Sequence, residues 1–321
     1  MSIVKKVFRT SLILLAFASG LTSVATMAAA PMAKTSAPGY FRMMLGEFEI
    51  TALNDGTIDL PVEKLLTQPE AHTHAALAKA YLNAPLETSV NAFLINTGSK
   101  LILIDAGTGS LFGPTLGKLI SNLKASGYTP AQIDDIYLTH LHADHIGGLV
   151  ANNTLAFPNA IVHADKKDAD FWLSQKNLDK AAADQKDGYK NAIASINPYV
   201  VAEKFVPFAG DANIATGITS YATYGHTAGH TIYKVESKGE KLWVIGDLIH
   251  VNAVQLDHPE VTIAFDSDQK QAAAERDKVF TDGTKQGVLF AASHIQFPGI
   301  GHLRKEVKSY EWIPVNFIQL R

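Results

Sequence analysis

Short apolar runs ending in glycine, aspartate or histidine recur along the chain. Alternating apolar and polar positions over 47–53 predict a half-buried strand. Asn54-Asp55-Gly56 then predicts a tight turn, and 57–60 the returning strand of a hairpin. Residues 88–96 and 101–104 predict two strands joined across Thr97-Gly98-Ser99-Lys100. Leu116, Leu119, Ile120 and Leu123 stand at helical spacing and predict a helix over 115–126, with Gly127 as its C-terminal cap. A strand at 136–138 follows. Strands are further expected at 161–164, 218–223, 231–236, 242–245 and 288–292, with an edge strand at 313–315. Helices are expected over 75–82, 166–173 and 269–280. Residues 31–40 read as an irregular arm, and 174–198 as polar helix and loop. Strands followed by helices in both halves predict an α/β fold, with two sheets packed face to face and helices outside.

The strand at 136–138 runs into Thr139-His140-Leu141-His142-Ala143-Asp144-His145-Ile146-Gly147-Gly148. Three imidazoles and a carboxylate in so short a segment suit zinc and similar divalent metals better than any packing role. At a strand mouth His140 and His142 point the same way. Asp144 and His145 follow after the chain turns and reach a neighbouring position. Other strands end similarly: 101–104 at Asp105, 218–223 before Gly225-His226-Thr227-Ala228-Gly229-His230, 242–245 before Asp247, and 288–292 before His294. Strand-end loops are where a rigid scaffold presents chemistry.

With these motifs the chain resembles the metallo-β-lactamase superfamily over nearly everything after the first forty residues. Within it the chain looks most like the methyl parathion hydrolases and related lactone and aryl-ester hydrolases. The resemblance implies a four-layer αββα sandwich. It also implies two metal sites: His140, His142 and His226 holding one ion, Asp144, His145 and His294 the other, and Asp247 bridging both. Zinc is the first expectation for the two divalent ions, with iron, manganese and cobalt compatible with nitrogen and oxygen ligands. The nucleophile would be a hydroxide bridging the metals, with Asp144 beside it to take or orient its proton. Asp105 would orient a ligand histidine. His230 is expected in a supporting role rather than as a ligand. His163, His258 and His302 are assigned no role, and His72 and His74 are expected in an exposed cap or loop.

The resemblance places Phe112 and Trp172 in an aromatic leaving-group pocket. His250, three positions after Asp247, is expected near the metals, with Ile263 and Phe265 crowding the same pocket. A polar, crowded pocket suits a flat lactone or aryl ester better than a phosphotriester, so phosphotriester hydrolysis ranks second. A metal-dependent binding or redox protein is the competing class. A flavin domain is not seen, and no ligand of the seven is missing, which count against it. The resemblance also suggests a homodimer.

Residues 1–30 differ in kind. Lys5, Lys6 and Arg9 precede a short apolar stretch, and Ala28-Ala29-Ala30 offers small residues for cleavage. This is the pattern of a secretory signal peptide, predicting a periplasmic or secreted protein with no membrane span once it is removed. The remainder, 31–321, reads as one domain. Of 321 residues, 47% are hydrophobic and 18% charged, an ordinary globular composition. Removing the three basic residues of the leader takes the formal charge from −3 to −6. No basic stripe is left for nucleic acid. With no cysteine in the chain, disulfides, thiolate ligands and a cysteine nucleophile are excluded.

Overall fold

The computed structural model describes residues 30–320. The expected leader therefore lies, except for Ala30, outside the described residues. Residues 30–36 have no regular secondary structure. The chain from Ala37 onward forms one compact unit.

The first sheet is built from β1 (Tyr40–Leu45), β2 (Phe48–Leu60), β3 (Leu86–Asn96), β4 (Leu101–Ile104), β5 (Asp135–Tyr137) and β8 (Ile161–His163), hydrogen-bonded in that order. A small separate hairpin, β6 (Val150–Ala151) and β7 (Thr154–Leu155), lies between β5 and β8 in the chain. The second sheet runs β15-β14-β13-β12-β11-β10-β9. Its strands are β9 (Ala212–Ala215), β10 (Ile218–Ala222), β11 (Thr231–Ser237), β12 (Glu240–Gly246), β13 (Leu289–Ala292), β14 (Ile300–Lys305) and β15 (Tyr310–Pro314). The helices are α1 (Val62–Leu65), α2 (Glu70–Lys79), α3 (Leu119–Ala125), α4 (Ala143–Ile146), α5 (Lys166–Trp172), α6 (Gln175–Lys180), α7 (Lys186–Val201), α8 (Asn252–Gln255) and α9 (Gln269–Gln286).

The four layers follow from the two-residue period of the strands. Phe93 and Ile95 of β3 and Ile102 and Ile104 of β4 meet Leu242 and Val244 of β12 and Tyr233 of β11 between the sheets. Ala92, Leu94, Leu101 and Leu103, the alternate positions, face Leu119 and Leu123 of α3 and Ile196 and Tyr199 of α7. On the far side Trp243 and Ile245 of β12 pack with Val279 and Phe280 of α9. Strands covered on both faces read as continuous apolar runs, which is why 101–104 and 242–245 stood out.

The expected turn at Asn54-Asp55-Gly56 is not one. β2 passes straight through it, paired with β3 from Glu49↔Asn96 to Leu60↔Leu86, and the register merely shifts between Asn54 and Gly56. The hairpin partner of β2 is β1, across Gly46. Asp55 is buried, and its carboxylate accepts from the backbone N–H groups of Thr108, Gly117 and Leu119 and from the Thr108 hydroxyl. A Cβ on Gly56 would stand 2.0 Å from the Thr115 carbonyl oxygen, so the strand needs glycine there to admit the 115–116 segment. α3 is shorter than its apolar spacing suggested. The unexpected β14 pairs with both β13 and β15. No described helix is long and apolar enough to cross a membrane.

Candidate metal centre

The loops after β4, β5, β10, β12 and β13 converge at one edge of the sandwich. Asp105 leaves β4 with φ +64°, a left-handed turn that aims its side chain along the neighbouring strand end. Past β5, His142 precedes the single turn α4, which carries Asp144 and His145. His226 follows β10, Asp247 follows β12, and His294 follows β13.

Seven side chains meet in two groups. His140, His142, His226 and Asp247 form one, and Asp144, His145, His294 and Asp247 the other. Within each group the candidate donor atoms lie within 4.8 Å of one another. The Asp247 carboxylate stands between them. Its Oδ2 is 3.6 Å from His140 Nε2 and 3.3 Å from His226 Nε2. Its Oδ1 is 3.2 Å from both His145 Nε2 and His294 Nε2. Asp144 Oδ2 completes the second group, 3.5 Å from His145 Nε2 and 3.4 Å from His294 Nε2. His142 Nδ1 completes the first, 3.1 Å from His226 Nε2.

The groups fit divalent cations. His140 Nε2, His145 Nε2 and Asp247 Oδ1 are buried and have no hydrogen-bond partner. Buried polar atoms are otherwise almost always paired, so these three point to a missing common partner. Five imidazoles and two carboxylates are a borderline-to-hard donor set that suits zinc, iron, manganese or cobalt.

The far side of several of these rings is held in place. Asp105 Oδ2 accepts from His145 Nδ1 at 2.8 Å, and its Oδ1 accepts from the Thr139 N–H at 2.8 Å. Asp266 Oδ1 accepts from His226 Nδ1 at 2.8 Å, and His294 Nδ1 donates to the Ser89 carbonyl at 3.0 Å. Such partners set ring orientation and strengthen the outward nitrogen as a ligand. His230 is fully buried and turned elsewhere. Its Nε2 accepts from the Asp247 N–H at 3.1 Å and its Nδ1 donates to the Thr223 hydroxyl at 2.8 Å. It therefore braces the backbone of Asp247.

Electrostatics reflect this crowding. Burial disfavours charge on His145, yet the carboxylates of Asp247, Asp144 and Asp105 hold its pKa well above the ordinary value. Burial opposes ionisation of Asp247 as well, and His294, His145 and His140 around it keep its pKa far below the usual range. For His142 burial prevails, helped by His226, and lowers the pKa to about 3. His226 goes the other way, to about 9, because hydrogen bonds to Asp247 and Asp266 outweigh its burial.

Asp144 is the more open carboxylate, its side chain 25% exposed against 3% for Asp247. It marks the mouth. Trp172 stands beside it, its ring 5.4 Å from that of His142, edge to face. Phe265, 40% exposed, lies 6.1 Å from the His250 ring. His250 is buried, stacks on His294 at 5.1 Å, and brings Nε2 to 3.2 Å from Asp247 Oδ2. Phe112 is exposed on the loop whose Gly109 rests against Gly147 and Gly148. Ile263 corrects an expectation. It is fully buried among Val62, Leu66, Leu77 and Val254, under the site rather than in a pocket. Its backbone bridge to Leu66 draws it inward. His72 and His74 are exposed on α2.

The sequence pattern left out Asp266, Asp168 and Arg276. Arg276 of α9 is fully buried and donates to the carbonyls of Leu248, Pro259 and Val261, gathering the connection that carries Asp247, His250 and Asp266. Asp168 of α5 is fully buried too, and burial pushes its carboxyl up to about 6 against the hydrogen bonds it accepts. In sequence both look like surface charges of amphipathic helices.

The chain belongs to the metallo-beta-lactamase superfamily, which residues 86–285 match. Among solved structures it is similar to hydrolase AbOPH of the beta lactamase superfamily, with 40% identity, a TM-score of 0.84, and coverage of 89% of this chain and 100% of that one. It is also similar to AidC, a dizinc quorum-quenching lactonase solved with its product N-hexanoyl-L-homoserine. There the identity is 28% and the TM-score 0.80, over 88% of this chain and 99% of that one. An N-acyl homoserine lactone hydrolase at 19% identity and TM-score 0.54, covering 80% of this chain and 100% of its own, shares the fold. A curated relative, the beta-lactamase-like protein 2 homolog of Caenorhabditis elegans, is 34% identical over 83 residues. That match spans 25% of this chain and 26% of the relative, about a quarter of its length. The protein is thus a metal-dependent hydrolase of this superfamily.

Proposed function

We propose that the protein is an exported hydrolase of lactones or aryl esters that works with two divalent cations, zinc in the first instance. The observation that carries this is the pair of four-residue groups sharing Asp247 beneath a mouth rimmed by Trp172 and Phe265. When bound, paired cations polarise a substrate carbonyl or phosphoryl oxygen and bring the pKa of a shared water from 15.7 to roughly 7. His140, His142 and His226 would hold one cation, Asp144, His145 and His294 the other, and Asp247 both.

Asp144 is placed to manage the proton. Burial favours its neutral form, but positive charge beside it, on His145 and His294 without metal and on the cation itself when one is bound, would keep it ionised, so it could accept a hydrogen bond from the attacking water. Its partial exposure leaves room for that water. Asp247, hemmed in by imidazoles, has no such room. The Trp172 and Phe265 faces favour a flat apolar leaving group or acyl portion, and AidC, at 28% identity, acts on a lactone. Buried His250 occupies space beside Asp247 that a tetrahedral phosphotriester would need. Export rests on the basic, apolar and small-residue pattern of 1–30, and would place the protein in the periplasm or medium.

The test is kcat/KM on dihydrocoumarin, an acyl-homoserine lactone, a p-nitrophenyl ester and methyl parathion. A lactone or aryl ester should lead. A chain faster on methyl parathion would reverse the order in favour of phosphotriester hydrolysis. Stripping with a chelator should abolish activity and zinc, cobalt or manganese should restore it. Activity that survives complete stripping would exclude the metal-based reading.

A further inference from the structure

Asp168 is the fully buried carboxylate of α5, and none of its hydrogen bonds goes to a side chain of the seven candidate ligands. Its Oδ2 accepts from the Leu141 N–H at 3.0 Å and the Thr227 hydroxyl at 2.9 Å, and its Oδ1 from the Gly229 N–H at 2.5 Å. Leu141 lies between His140 and His142. Thr227 follows His226. One carboxylate thus joins the two loops that bring the three histidines of the first group together, although these loops belong to different sheets. The join is tight: a Cβ on Gly229 would lie 2.5 Å from the Asp168 backbone nitrogen and 2.9 Å from its Cβ, so only glycine fits.

The second group shares Asp247 and the loop after β5 with the first, but its outer partners lie elsewhere. His145 is oriented by Asp105, and His294 by the Ser89 carbonyl. Trp172, one turn further along α5, packs its ring on His142 and adds a contact from the same helix to the same group.

We infer that Asp168 is a positioning residue first of all for the His140–His142–His226 metal site, clamping its two loops at ligand distance, and that it bears less on the Asp144–His145–His294 site. The inference rests on reading these groups as metal sites. A carboxylate is required chemically. Asparagine offers one oxygen and one NH2 group. Set at Oδ1, the NH2 meets the Gly229 N–H, and set at Oδ2 it meets the Leu141 N–H. Either orientation opposes donor to donor and releases one loop. A residue that merely docks α5 would affect both metal sites alike, through overall stability.

The experiment titrates Co2+ into the chelator-stripped full chain in two backgrounds. His294→Ala leaves only the first site intact, and His226→Ala only the second. Losing an outer partner of a metal ligand typically costs ~10–100-fold in affinity. Asp168→Asn should therefore weaken Co2+ binding by about that factor in the His294→Ala background, and by clearly less in the His226→Ala background. Equal weakening in both, or none in the first, overturns the inference. Should Asp168→Asn fail to fold, Thr227→Val carries the same test, since it removes one donor to Asp168 at constant shape. Thr227→Ser, which restores the hydroxyl, should then recover the affinity, and failure to recover it counts against the clamp. If the unmutated chain binds no Co2+, the metal-centre reading itself falls, and this inference with it.

Discussion

The two sheets build their halves of the metal centre differently. The first supplies His140, His142, Asp144 and His145 from one loop and one helical turn after β5. The second supplies His226, Asp247 and His294 from three separate strand ends. Support differs in the same way. His145 is oriented by Asp105 at the end of the neighbouring strand, with Thr139 bonded to that carboxylate. His226 is oriented by Asp266, from the long connection between β12 and α9, and His294 by a carbonyl of β3 in the opposite sheet. A contiguous ligand cluster is held by short-range geometry. A dispersed one depends on how well distant segments are packed, so it should be the more sensitive to changes far from the metals.

The largest effect should come where the halves meet. Asp247→Ala opens both groups, so it should cost more activity than the ~100-fold upper range for losing an outer partner, and deplete both metals on elemental analysis. Retention of one full equivalent would show that the halves are separable after all. Next is Arg276→Met, a change in the connection behind the second half. It takes the guanidinium donor from the carbonyls of Leu248, Pro259 and Val261, of which Val261 keeps Gln255 Nε2, and removes the cation 4.0 Å from Asp266. Breaking a buried charged arrangement typically costs ~3–5 kcal/mol. Urea unfolding of the stripped protein should show a loss of that order, and an effect below about 1 kcal/mol, the scale of an exposed ion pair, would argue that the connection is held by other means.

His230→Ala should cost ~10–100-fold in kcat/KM, less than Asp247→Ala, because the bonds lost are to the Asp247 backbone and the Thr223 hydroxyl rather than to a metal. Similar losses for the two variants would mean that the ligands have been misassigned. The smallest and most selective effect is expected of His250→Leu. Relieving one pocket contact should move the kcat/KM ratio from lactone toward phosphotriester by roughly 1–3 kcal/mol. Equal losses on both substrates would instead make His250 a proton donor to the leaving group.

The same contrast explains what could be read along the chain. His140, His142, Asp144 and His145 announce themselves because ligand spacing is local. His226, Asp247 and His294 are lone residues after apolar strands, and gain meaning only together with the first four and the family pattern. Asp105 is readable as a strand-ending acid. Asp168 is not, since Lys166-Lys167-Asp168 looks like a solvated helix start until loops after two different sheets close on it. Asp55 shows the opposite error. Asn54-Asp55-Gly56 has the local chemistry of a turn, but hydrogen bonds from Thr108, Gly117 and Leu119 hold the strand extended through it. Ile263 follows the same logic, because the fold turned it to the core while neighbouring Phe265 stayed at the mouth.

Because Asp247 belongs to both groups, an ion held by one would be thermodynamically linked to an ion held by the other. An ion held by the first group would fix the carboxylate orientation that the second requires, and would also draw charge from it. Whatever the balance of these two effects, linkage is reciprocal: the factor by which one ion changes the affinity of its neighbour equals the factor in the opposite direction. Sharing that carboxylate would make metal content a coupled function of metal activity rather than a sum of two independent occupancies.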